Sequence, residues 1–333
     1  MRTVTLLLIV FATFAPDLSA KARAEADVVV SIKPIHSLAA AIMQGTGTPR
    51  VIVRGNGSPH VYALKPSDAR ALENADLIFW VGPAMETFLA GYVKTLGKSA
   101  LTVTLAETDN LTRLAFREGG PWSNPENIGK GGNHADHRDH ATRERPDGGH
   151  RPPDVDMHFW LDPRNAKRMA EKMVNALART DPENASLYRA NGKVLFERLN
   201  RLTEELQTKL RPVRDKPFIV FHDAYHYFEK RFGLTAAGAI AVSPERQPGA
   251  KRLAKIRHKI RALGATCLFA EPQFPRRLLK NIVEGTAADI GILDPLGAGL
   301  KPGPDHYFKL MHQNATALTD CLFKRSLAGV NKS

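Results

Sequence analysis

Cysteine is almost missing from this chain. Cys267 and Cys321 are the only two, which excludes a disulfide-dense scaffold and leaves room for one bridge. Long apolar runs are missing too. Only one stretch, near the N-terminus, approaches membrane-span character, so a polytopic membrane protein is excluded. Acids are outnumbered, 34 against 47 Lys and Arg, for a net charge of +13. Such an excess invites nucleic acid. The bases are scattered among acids, however, with no aromatic-interleaved basic stripe, so nucleic acid is not expected as a partner. HExxH, a nucleophile elbow and a Ser-His-Asp pattern are all absent, and the chain is not expected to be an enzyme. No short-period repeat is found. With 43% hydrophobic and 24% charged residues, the 333 residues suffice for one large or two ordinary globular domains.

What is present begins with a leader, 1–24. It carries Arg2 and then an apolar run over 4–15, too short to span a bilayer comfortably. Ala22-Arg23-Ala24 fits small-x-small cleavage, Leu18-Ser19-Ala20 is the alternative, and no Cys follows for lipid attachment. The mature chain, cut after Ala24, is expected outside the cytoplasm with a net charge of +11. In an oxidising compartment a bridge between Cys267 and Cys321 is expected, closing a loop of 55 residues counting both ends. Two separate buried thiols are the alternative.

Short β-rich runs alternate with helical stretches. Strands are expected at 28–32, 50–53, 77–81 and 101–105, with helices at 37–44, 67–74 and 84–96. Ser67 suits the start of the second helix as a cap, with Asp68 in its first turn. Asp181-Pro182 opens a long helix, Asp as cap and Pro in the first turn. Leu195, Leu199, Leu202, Leu206 and Leu210 recur at helical spacing until Pro212. Thirty residues, 182–211, span about 45 Å, and Gly192 inside them marks a bend. Strands return at 218–221, 236–242, 267–270 and 290–293, with helices at 253–263 and 276–285. The expected fold class is α/β, two Rossmann-like lobes with parallel sheets joined by one long rigid helix. The lobes are placed at 25–180 and 213–333, with the helix at 181–212. Residues 117–154 interrupt the first lobe with Gly, Pro, Asn and charge, a composition that cannot bury enough apolar surface to order itself. His134, His137, His140 and His150, interleaved with Asp136, Asp139 and Asp147, make this loop a candidate for auxiliary metal contacts.

Ligand-type residues recur just past strand ends, where an open parallel sheet forms its crevice. His60 follows 50–53, with Gly55 and Gly57 allowing a tight turn. His158 lies in VDMHFWLDP, His222 follows 218–221, and Asp294 follows 290–293. Three imidazoles, with or without a carboxylate, form a nitrogen-rich site that suits Zn²⁺ better than manganese or calcium. Asp162 and Asp223 neighbour these histidines and are candidates to receive an imidazole N–H. His36 is a candidate auxiliary residue, Glu271 a candidate crevice acid, and His226 a candidate helix-surface or outer partner. His258, His306 and His312 read as ordinary polar positions.

The motifs PHVYALKPSDARALENADLIFWVGPAME, MHFWLDP, FHDAYHYFEKRFGL, RQPGAKRL, FAEPQF and LDPLG occur in an order that resembles the zinc-uptake solute-binding proteins of bacterial ABC importers (ZnuA type). The resemblance covers nearly all of 25–325. It implies a periplasmic receptor that holds Zn²⁺ between two lobes joined by a single helix and passes it to an inner-membrane ABC permease. It also implies primary ligands at His60, His158 and His222, a bridge between Cys267 and Cys321, and a metal-binding role for the His-rich loop. Several relatives carry a Glu just before the first ligand histidine. Pro59 stands there in this chain, so the fourth position falls to Asp294 or to water. In manganese-binding relatives a carboxylate tends to replace the third histidine, so His222 favours zinc. A monomer is expected, with affinity falling below about pH 6.5 as the imidazoles protonate. The rival readings are an exported zinc hydrolase with Glu271 as base and a metal-buffering adhesin.

Overall fold

Short strands, the central ones runs of Val, Ile, Leu, Phe and Trp, pair side by side to build two sheets. The computed structural model describes residues 25–117, 122, 155–241, 249–262, 264–265, 267–272, 280 and 282–330. The first four strands are β1 (Val28–Val30), β2 (Arg50–Val51), β3 (Leu77–Trp80) and β4 (Leu101–Thr104), and they lie in the order β2-β1-β3-β4. The second four are β5 (Phe218–His222), β6 (Ala236–Ala241), β7 (Cys267–Ala270) and β8 (Asp289–Ile292), in the order β6-β5-β7-β8. Every pairing within them is parallel. All of β1, β3, β5 and β7 is buried, as expected of strands covered by helices on both faces. The two-lobed α/β architecture is therefore present. Both sheets share one strand order, so each has a switch point between its first and third strands.

Helices α1 (Lys33–Ile42), α2 (Pro66–Glu73), α3 (Thr87–Thr95) and α4 (Pro163–Thr180) belong to the first half. Helix α1 begins four residues earlier than expected. In α2 the N-cap is Lys65, with Pro66 in the first turn, so Ser67 is inside the helix and not its cap. The Asp68 carboxylate instead accepts the Lys65 amide at 3.2 Å. Asp181 caps a short 3-10 turn, Pro182–Asn184, and α5 (Ala185–Leu210) follows, ending in a second turn, Arg211–Val213. The five leucines of its stripe are all buried, each contributing about 1.5–3 kcal/mol. Helix α5 runs through Gly192 uninterrupted. A Cβ there would come within 2.7 Å of Val174, so this glycine permits close packing of α5 on α4. Helices α6 (His226–Phe232), α7 (Ala250–Ala262) and α8 (His306–Val330) complete the set described. Helix α8 is not among the elements expected from the sequence.

One apolar core runs from β1 and β3 through α4 and α5 to α8 and the Phe218, Val220 and Phe269 side of the second sheet. A smaller core, with Ile219, Phe221, Ile256 and Ile260, lies under α7. Cys267 of β7 is bonded to Cys321 of α8, with Cα atoms 6.1 Å apart, so the alternative of two free thiols is set aside. No helix among the described residues is long and apolar enough to cross a membrane. The leader expected at 1–24, His134, His137, His140 and His150, and half of the helix expected at 276–285 lie outside the described residues.

Candidate metal centre

Three imidazoles from three separate segments meet between the lobes. His60 sits on the irregular segment after β2, His158 just before a 3-10 turn, Phe159–Leu161, that leads into α4, and His222 ends β5. Each offers a ring nitrogen, and these atoms all lie within 4.8 Å of one another. His158 and His222 are buried and His60 is partly exposed, which puts His60 at the mouth.

The tautomers follow from the partners. His158 Nδ1 lies 2.8 Å from Asp156 Oδ1, which also accepts the His158 amide at 3.0 Å. His222 Nδ1 lies 2.5 Å from Glu271 Oε1. With each Nδ1–H donated to a carboxylate, both Nε2 lone pairs are left facing inward, 3.4 Å apart. Two acceptors at that separation repel unless a cation or proton stands between them. Two nitrogens bound tetrahedrally to one zinc at about 2.0–2.1 Å lie about 3.3 Å apart, so the spacing suits a shared ion.

Electrostatics separate the pair. Burial, reinforced by the nearby His222, pushes His158 down to about 3, so it stays a neutral donor. Burial also pulls His222 down, but the Glu271 carboxylate, with Asp223 and Asp156, outweighs it and the net shift is upward. Burial pushes Asp156 up to about 6.

Asp294 does not join the group. Its oxygens accept the amides of Leu296 and Gly297 at 2.9 Å and of Ala298 at 2.6 Å, a loop-organising role. Nor do Asp162 and Asp223 receive the Nδ1–H of His158 or His222. Asp162 caps α4 and pairs with Arg231. Asp223 is gripped by Arg117, which also forks onto Glu229 at 2.8 and 2.9 Å and lies 3.6 Å over the Trp122 ring. His36 Nε2 is turned to the Pro49 carbonyl at 2.9 Å. Asp156 is not among the partners expected from the sequence, although it precedes His158 by two residues, a spacing at which a carboxylate can reach both the amide and the ring.

Two α/β lobes with donors converging between them define a two-lobed metal-binding protein. The chain matches the family described as "Zinc-uptake complex component A periplasmic" over residues 28–321, and it belongs to that family. It is 51% identical over 319 residues to the high-affinity zinc uptake system protein ZnuA of Brucella suis biovar 1, covering 89% of this chain and 92% of that one. It is 36% identical over 299 residues to the protein of the same name from Yersinia pestis, covering 90% and 92%. A crystal structure of ZnuA superposes with a TM-score of 0.69 at 25% identity, covering 89% of this chain and all of that one.

Proposed function

We propose that this chain is a periplasmic zinc receptor that takes up Zn²⁺ between its lobes and delivers it to an inner-membrane ABC permease. His60, His158 and His222 are the donors in this reading, and water completes the tetrahedron because Asp294 is engaged by backbone amides. The observation that carries it is the inward-facing pair of Nε2 atoms, each ring held by a buried carboxylate. Orientation by a carboxylate behind the ring is the usual support for a metal-binding histidine. In the same reading the mature protein begins after Ala24 and acts as a monomer, with lobes 25–180 and 213–333 on either side of the helix 181–212. The His-rich segment with His134, His137, His140 and His150 adds auxiliary contacts.

Competition against a chromophoric zinc chelator tests the assignment. His60→Ala, His158→Ala and His222→Ala should each weaken zinc binding by more than the about 10–100-fold that outer partners cost. Wild-type affinity in all three would end this reading.

A further inference from the structure

Lys33 is a buried lysine with no carboxylate in contact among the described residues. Its ammonium donates to the carbonyls of Ala298 at 2.7 Å, Gly55 at 3.2 Å and Leu300 at 3.5 Å. An ammonium has three N–H bonds and no acceptor, so three carbonyls satisfy it. They belong to different places: Lys33 opens α1, Gly55 lies in the segment that carries His60, and Ala298 and Leu300 lie in the second lobe ahead of α8.

The carbonyls are held in place from behind. Asp294 gathers the amides of Leu296, Gly297 and Ala298, and its own backbone is fixed to Asn314 of α8 at 2.9 and 2.8 Å. On the other side, the Gly55 backbone takes φ of +59°, which only glycine adopts without strain. Arg54 ties the same segment to Val51 and Asp68. Those ties stay within the first lobe, whereas Lys33 connects the segment to the second.

We propose that Lys33 is a positioning residue for zinc capture. It cross-links the His60 segment to the Asp294-organised loop and so holds the third donor in register with His158 and His222. This inference rests on His60 being a ligand. It also gives Asp294 a part in the site without contact with the ion.

A double-mutant cycle tests it on the mature chain, read as zinc affinity and release rate by chelator competition. Lys33→Met should weaken zinc binding by about 10–100-fold through faster release, and should add nothing further in a His60→Ala background. An equal loss in both backgrounds overturns the inference, because the lysine then acts on the fold at large. So does unchanged affinity in the single variant. Should Lys33→Met not fold, Lys33→Arg, which keeps the charge and displaces the donors, enters the same cycle, and the same two outcomes overturn the inference. Wild-type affinity in His60→Ala alone sinks the ligand assignment, a result distinct from failure of the lysine.

Discussion

At the switch point of the second lobe, β5 ends in His222 and β7 runs into Glu271. At the matching point of the first lobe, β1 runs through Ser31 toward Lys33, and β3 runs into Gly82, whose amide is held by Glu86 at 2.8 Å. The strand order is the same, so the backbone makes the same crevice twice. What fills it differs. The second lobe supplies a donor from the strand itself, with its carboxylate on the neighbouring strand's exit. The first supplies His60 and His158 from an irregular segment and a turn, and spends its strand ends on anchoring. A donor on a strand is placed by the sheet, while a donor on a loop needs ties of its own, and here those are Lys33 and Asp156. The lesson is that duplicated topology fixes where a site forms but not which half holds it rigidly.

The disulfide offers the largest effect with which to break this contrast. It lies wholly in the second lobe, joining β7 to α8. For a closed loop of this length the chain-entropy account gives about 4 kcal/mol. Replacing Cys267 and Cys321 together by Ala should lower stability to urea by that order. Hydrogen exchange should rise first in β7 and α8. Equal loss of protection in β1 and β3 would mean that the continuous core makes the lobes one cooperative unit, and the contrast in rigidity would fall.

Next in size is a comparison of the two carboxylates. Glu271→Gln and Asp156→Asn should each weaken zinc binding within the about 10–100-fold range of outer partners. Asp156→Asn should be the more damaging, because Asp156 holds both the ring and the amide of a turn residue, whereas His222 keeps its place in β5. Affinities from chelator competition decide the ranking, and the reverse order would say that sheet placement does not substitute for a hydrogen bond.

Much of this contrast is legible in the residues alone. The strands of both lobes, the leucine face of α5 and the three histidines are local signals, carried by β-branched runs, helical spacing and residue type after a strand. Helix α8 has a signal of the same kind that the sequence reading leaves unused: Tyr307, Leu310, Met311, Ala315, Leu318 and Leu322, all buried, repeat at three and four. The imidazole partners differ from expectation for another reason. Asp162 and Asp223 are adjacent to their histidines, but adjacency turns a side chain away as often as toward its neighbour. The true partners come from two residues upstream, Asp156, and from another strand, Glu271, a contact that only tertiary structure creates. Asp294 also has contacts that its place after a strand does not announce, the amides of the following turn.

The last expected effect is one of pH and concerns Glu86, the acid at the first lobe's switch point. It is fully buried and accepts the amides of Val81 and Gly82 at 3.2 and 2.8 Å. Burial outweighs those hydrogen bonds and pushes it up to about 7. In the unfolded chain a glutamate titrates near about 4.3. The folded state therefore binds this proton more tightly. Stability from Glu86 is complete below about pH 4.3 and is lost as pH rises through about 7. The slope in that upper range is at most about 1.4 kcal/mol per pH unit. Glu86→Gln keeps an acceptor oxygen and removes the titration. Urea midpoints of metal-free wild type and variant at pH 4, 5.5 and 7.5 should converge at the acid end, with the variant the more stable at the alkaline end. Parallel curves would mean that Glu86 is ionised throughout and that burial does not hold a proton on it.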